Sequence, residues 1–303
     1  MSAITTDFSE RGFHVFPDGV DPLAGQELLK DIRTCRDFGQ GLFLTEAEFE
    51  ADPQYRGTNP RPGRNLLESF EDRLAFVETN PGIVSALGEL LGPGYVCMDR
   101  KIVCGVPRQW LPAWVWARIE GKAVNNLGPY IRPEYRDITY FAGIDFHQDL
   151  IDYRDRPADF VTVYVYLHAV GPADAPLFLL EGSHSQGGTL FPHALTAFGP
   201  GRWLYGQGDA ADVVTQHLLT GPAGYAAVWH ACTLHGTQPD AADHERLSLR
   251  YLFARDPDAT VVGLDRVNAG LKGPLRLTET RRDLDPDGSA RPVGNIVNGV
   301  PTV

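Results

Sequence analysis

No stretch of this 303-residue chain approaches the ~20 consecutive apolar residues that a membrane-spanning helix needs. The opening residues, MSAITTDFSERGF, carry acids where a secretory signal would place its apolar run. Cysteine is scarce: Cys35, Cys97, Cys104 and Cys232 stand apart with no CxxC pair, the pattern of reduced structural thiols in a cytoplasmic protein. Positive charge is also short, with 27 Lys and Arg against 39 Asp and Glu, a net of −12. That balance argues against a nucleic-acid backbone or an anionic membrane as partner. Internal repeats and low-complexity tracts are missing too. These absences leave a soluble globular protein; a monomer or homodimer with a small-molecule partner is the expectation.

The first ninety residues carry helical spacing. Leu28, Leu29, Ile32 and Cys35 fall on one face of a helix within Asp21–Arg36. A second helix is expected over Asn80–Leu91, with Asn80 as N-cap, Pro81 in the first turn and Gly92-Pro93 as the stop. From about Tyr95 the pattern changes to short runs rich in Val, Ile, Tyr and Phe, separated by Gly, Pro and Asp. Strands are expected at Val96–Val106, Trp114–Ile119, Ile138–Phe146, Phe160–Val170, Leu177–Leu180, Gly224–Ala231 and Arg246–Ala254. In FVTVYVYLHAV, Thr162, Tyr164 and Tyr166 share one face and Val161, Val163, Val165 and Leu167 the other. So many strands without intervening helices indicate a sandwich or barrel. From about Asp265 the chain is polar and weakly periodic, and reads as a lid, an oligomer arm or a tail.

The chemistry concentrates at His147-Gln148-Asp149, at the end of a strand. Residues i and i+2 of an extended chain point the same way, so an imidazole and a carboxylate converge, a pair suited to Fe(II), Zn(II) or Mn(II). His235 follows eighty-eight residues later in TLHGTQP, with Arg246 eleven residues beyond it. His230, in an apolar run after Trp229, competes for the third ligand place but reads as a packed histidine; His184 in EGSH reads as structural. His14, His168, His193, His217 and His244 read as surface or loop residues. Two His and one carboxylate leave metal positions open for a chelating co-substrate and O2. An Arg fork on a neighbouring strand holds a distal carboxylate in a bidentate pair. Arg246 and Arg250 both qualify, and Ser248 lies between them on the same face. Substrate contacts are sought at Arg118, Tyr130, Tyr140, Gln148, Tyr153 and Trp229, around the long aromatic and charged segment between Trp110 and Tyr140.

Taken together, DFSERGFHVFPDGV, NPGIVSALGELLGP, the HQD tripeptide, LLEGSHSQG and GYAAVWHACTLHGTQP followed by Arg246 resemble the phytanoyl-CoA dioxygenase family of Fe(II)/2-oxoglutarate oxygenases. The resemblance runs from about Asp7 to Arg255. It departs at Glu181, where the family usually has Pro, and at Thr237-Gln238-Pro239-Asp240, where Ser-Gly-Pro-Asn is commoner. It implies a mainly β, double-stranded β-helix (jelly-roll) core over 95–255, an N-terminal helical layer over 1–94 and a C-terminal extension over 256–303, all in one domain. It implies Fe(II) on His147, Asp149 and His235. The C5 carboxylate of 2-oxoglutarate would lie on Arg246, helped by Ser248 or Thr237, with O2 as the second co-substrate. Related halogenases replace the first carboxylate with a small residue; the presence of Asp149 implies hydroxylation of an unactivated C–H bond, or desaturation, cyclisation or epimerisation by the same chemistry. A non-redox metallo-cupin isomerase or lyase using Zn or Mn would need the same triad without Arg246.

Overall fold

The computed structural model describes residues 2–51 and 66–301. Its strands, in chain order, are β1 (Phe13–Phe16), β2 (Val96–Gly105), β3 (Val124–Asn126), β4 (Thr139–His147), β5 (Phe160–Tyr166), β6 (Leu177–Glu181), β7 (Leu195–Gly199), β8 (Arg202–Tyr205), β9 (Asp212–Leu219), β10 (Ala226–His230), β11 (His235–Thr237) and β12 (Arg246–Ala254). They form one hydrogen-bonded series in the order β1-β10-β5-β12-β2-β4-β11-β6-β9-β8-β7, with β3 added to β4. All pairings are antiparallel except β2 with β4.

The series folds back on itself. Tyr164 and Tyr166 of β5 and Trp229 of β10 pack in one cluster with Leu177 and Leu179 of β6, although β6 stands five places from β5 in the order. These inward faces make the interior of a double-stranded β-helix. The outward faces are equally apolar. Val161, Val163 and Val165 of β5 join Leu247, Leu249 and Tyr251 of β12 in a second cluster, covered by helices. A strand buried on both sides must be mainly hydrophobic, which is why β5 is apolar or aromatic at every position but Thr162.

The covering layer comprises α1 (Ala3–Glu10), α2 (Pro22–Thr34), α3 (Glu46–Ala51), α4 (Ala75–Glu78) and α5 (Pro81–Leu91). Both expected helices are present with their expected starts. The Asp21 carboxylate accepts from the main-chain N–H of Leu23 at 2.9 Å, and the Asn80 side chain accepts from Gly82 at 3.0 Å, each followed by a proline in the first turn. Residues 52–65 of this layer lie outside the described residues.

One expected strand is a helix. Trp114–Ile119 forms most of α6 (Ala113–Ile119), in which Val115 and Ile119, spaced i and i+4, are the buried pair. Its aromatic and β-branched content mimicked a strand, while the burial follows helical spacing. Strands β7, β8 and β9 were not legible because their exposed and half-buried residues weaken the apolar alternation. Beyond α7 (Gly263–Ala269) the C-terminal extension is an ordered strap. Val297 and Val300 pack on Phe146 and Phe178, and the Asp145 carboxylate accepts from the main-chain N–H of Ile296 and Val297 at 3.0 and 3.1 Å. Gln238 donates to the carbonyls of Val297 and Val300 at 2.8 and 2.5 Å, which gives that departure from the family pattern a structural role.

Leu87 of α5 is buried between helix and sheet. Leu87→Ala is expected to cost about 2–5 kcal/mol, read as a lower urea midpoint with unchanged slope.

Candidate metal centre

His147 ends β4 and His235 begins β11, and the two are register partners across an antiparallel pair, with ring centroids 4.1 Å apart. Gly236 permits this approach: a Cβ there would stand 2.9 Å from the Ile144 carbonyl oxygen and 3.1 Å from the Phe146 nitrogen. Gln148 is extended (φ −100°, ψ 142°), so Asp149 returns to the face of His147 before the chain turns into a 3-10 segment over Asp149–Asp152. One ligand atom from each of His147, Asp149 and His235 lies within 4.8 Å of the other two.

The orientation of each of the three side chains is fixed from behind. Nδ1 of His147 lies 2.9 Å from the Asp145 carbonyl, and Nδ1 of His235 lies 3.1 Å from the Thr233 carbonyl. Only an N–H can make those bonds, so the Nε2 lone pairs are left for a metal. Asp149 Oδ2 accepts from Thr162 Oγ1 at 2.6 Å and from Trp229 Nε1 at 2.8 Å. Its Oδ1 takes the Arg250 guanidinium and stands 3.7 Å from His235 Nε2. Burial alone would raise the Asp149 pKa; Arg250 above all, with the two histidines, outweighs it and holds the carboxyl far below its usual range. Burial holds His147 low and His235 down to about 3, so both are neutral, as ligands must be.

These residues open on one pocket. At one end, Arg246 is fully buried, its Nη1 donating to the Ala175 carbonyl and its guanidinium 5.8 Å from the Tyr164 ring centroid. Arg246 Nε, the Tyr164 hydroxyl and the Ser248 hydroxyl are buried without a hydrogen-bond partner among the described residues. Such groups cost roughly 1–3 kcal/mol each if left unpaired. Thr237 lines the pocket, and its hydroxyl donates to the Ala175 carbonyl at 2.8 Å. At the other end lie Lys101, Asp152 and Arg250.

The expected substrate residues fall in different places. Trp229 lines the pocket, 5.0 Å from the His235 ring, as well as bonding Asp149. Gln148 is wholly buried, tying the carbonyls of Gly187 and Cys232 at 2.8 Å each and accepting from Thr189, a staple behind the site. Tyr153 packs on Phe160 at 5.0 Å. Tyr140 faces the helical layer, where its hydroxyl accepts from Arg36 at 3.0 Å, because its position on β4 points it outward. Tyr130 packs with Trp114 and Phe49. Arg118 is on α6, paired with Glu46 and Glu50, and does not line the pocket. His230 uses both nitrogens internally, with Asn268 at 2.8 Å and the Cys232 N–H at 3.0 Å. His193, expected at the surface or in a loop, lies in a loop but is buried, its Nδ1 2.7 Å from Thr189 Oγ1. Tyr164 and Lys101 had not been singled out. The signal for Tyr164 was its place on the Thr162/Tyr164/Tyr166 face of β5.

No protein-family model matches the chain. A curated protein of Stutzerimonas stutzeri, described as "Probable alpha-ketoglutarate-dependent hypophosphite dioxygenase", is 29% identical over 115 residues. That match covers 37% of this chain and 38% of that protein, so the chain spans well under half of the relative's length in alignment. Among solved structures, EvdO2 from Micromonospora carbonacea var. aurantiaca superposes with a TM-score of 0.51 at 16% identity, covering 86% of this chain and 94% of that one. The epimerase SnoN, solved with Fe3+, alpha ketoglutarate and nogalamycin RO, gives 0.49 at 14% identity, covering 83% and 82%. The likeness to EvdO2 supports the fold.

The buried histidines set a pH dependence for the metal-free protein. His184 is held down to about 4 and His193, His230 and His235 to about 3, each chiefly by burial. In the unfolded chain each titrates near 6.5, so below that pH the unfolded state binds more protons and stability falls. Burial also lowers His147, His168 and His217, while Asp145 and Asp240, raised by burial, and His244, raised by Asp243, oppose this as three groups against seven. The urea midpoint in EDTA is therefore expected to fall between pH 7 and pH 5, and a flat or rising midpoint contradicts the neutral-histidine account.

Proposed function

We propose that this protein is an Fe(II)- and 2-oxoglutarate-dependent oxygenase acting on a small molecule, with His147, Asp149 and His235 as iron ligands. The observation that carries the reading is the pairing of that convergent triad with a buried, unsatisfied cationic end in the same pocket. Arg246 Nε, with the Tyr164 hydroxyl, offers donors to a carboxylate at a depth where water is scarce. A donor set of two neutral imidazoles and one carboxylate suits Fe(II) and leaves coordination positions open, whereas a closed structural zinc site would use four protein ligands. The same arginine favours an oxygenase over a non-redox metallo-cupin, which has no use for a buried carboxylate clamp. Sequence similarity to a protein described as alpha-ketoglutarate-dependent supports the same reading.

In this reading the iron, when bound, activates O2 at the cost of oxidative decarboxylation of 2-oxoglutarate to succinate and CO2, and the substrate C–H bond is hydroxylated. The chain holds the geometry. The Asp145 and Thr233 carbonyls aim the two Nε2 atoms, while Thr162 and Trp229 occupy Asp149 Oδ2; Oδ1, bonded to Arg250, is the oxygen that would meet a metal. Arg246 fixes the co-substrate end on, and the apolar walls, Val103, Phe141 and Leu177, keep the pocket dry.

Anaerobic addition of Fe(II) and 2-oxoglutarate is expected to give a visible charge-transfer band. His147→Ala and Asp149→Ala should lose it, and Arg246→Leu should weaken 2-oxoglutarate binding about ten- to a hundredfold at unchanged iron affinity. If Arg246→Leu binds 2-oxoglutarate as the parent does, the clamp is elsewhere; if Asp149→Ala keeps the band, the ligand set is wrong.

A further inference from the structure

The pocket end opposite Arg246 carries a second cationic pair. Lys101 of β2 and Arg250 of β12 are register partners on adjacent strands, and both line the pocket that holds the triad. Lys101 is not satisfied as a half-buried cation should be. The Lys101 ammonium makes no hydrogen bond among the described residues; its ion-pair neighbour is Asp99, 3.9 Å away and itself partly exposed. Burial, with the neighbouring Arg250, lowers Lys101 to about 8, so it is still largely protonated near neutrality. Arg250 spends one nitrogen on Asp149 Oδ1, and its other terminal nitrogen reaches Asp99 at 3.9 Å.

That one bond is made to the oxygen that faces His235, the oxygen assigned above to the metal. A dication placed there competes with the guanidinium for the same carboxylate and repels it. With the metal in place, the pocket therefore presents two neighbouring cations weakly compensated by Asp99 and by the exposed Asp152. Of the two carboxylates of the co-substrate, Arg246 provides for the far one, and the near one would be neutralised by the metal it chelates, so neither requires this pair. We propose that Lys101 and Arg250 form an oxyanion subsite for the substrate, which on this account carries a carboxylate or a phosphonate or phosphate group held beside the metal. The inference rests on the proposed function above. Lys101 is the specificity-determining member, since among the described residues it has no other partner within hydrogen-bonding distance.

The test uses the full chain loaded anaerobically with Fe(II) and saturating 2-oxoglutarate, so that the Arg246 end is filled. Propionate, methylphosphonate and the neutral propionamide are titrated in, followed by the shift of the visible band and by paramagnetic broadening of the probe's own NMR line. Wild type is expected to bind at least one of the two anions saturably and to ignore propionamide; which anion binds identifies the planar or the tetrahedral group. Lys101→Met should weaken that binding about ten- to a hundredfold, with the band itself unchanged, and Lys101→Arg should recover most of it. Equal anion binding by wild type and Lys101→Met, or equal binding of propionamide and the anions, overturns the subsite while leaving the oxygenase reading intact. Failure of wild type to form the band overturns that reading, and the subsite with it.

Discussion

A single buried carboxylate organises this molecule. Asp149 sits just past the end of β4 and is reached by Thr162 from β5, Trp229 from β10 and Arg250 from β12, with His235 of β11 alongside. Leaving an ionised carboxylate in the interior of a barrel without such partners would cost several kcal/mol. Satisfying it requires β5, β10 and β12 to be in register with one another and the β4–β11 pair to face them. Both halves of the folded-over sheet thus meet at one side chain, and the register that completes its hydrogen bonds also brings the two histidine rings together.

The pocket inherits its polarity from that arrangement. Alternation along β12 sends Arg246, Ser248 and Arg250 inward, while Leu247, Leu249 and Tyr251 pack under the helices. One strand therefore supplies a buried cation at one end of the pocket and another beside Asp149. The two arginines differ in what they touch, not in kind: Arg246 meets a carbonyl and an aromatic face, and Arg250 meets a carboxylate. In a barrel interior lined by tyrosine, leucine and valine, such charges act through a low dielectric and are selective for what can neutralise them.

Much of this was legible in the residues. The His-x-Asp spacing fixed a shared face whatever the long-range fold, and Pro81 and Gly92 bounded α5 through local chemistry alone. The alternation in FVTVYVY separated inner from outer residues because a doubly buried strand still has period two. What could not be read depended on distant contacts. Tyr140 lies on β4 close to the triad in sequence, yet the pleat turns it toward Arg36. Arg118 leads toward the metal strand, but α6 carries it to Glu46 and Glu50, which only the folded helical layer brings near. Lys101 had no local mark at all; its position follows from pairing with Arg250 across one hundred and forty-nine positions of chain. Nor could composition reveal that the polar C-terminal segment is a strap, since Val297 finds its apolar cover on β4 and β6.

The most direct test of the central claim is a crystal structure of the protein grown anaerobically with Fe(II) and an unreactive 2-oxoglutarate analogue, with data collected across the iron absorption edge. The account predicts one strong anomalous peak in contact with His147 Nε2, His235 Nε2 and Asp149 Oδ1, and analogue density whose far carboxylate meets Arg246. An anomalous peak on other residues, or an analogue carboxylate seated away from Arg246, would contradict it.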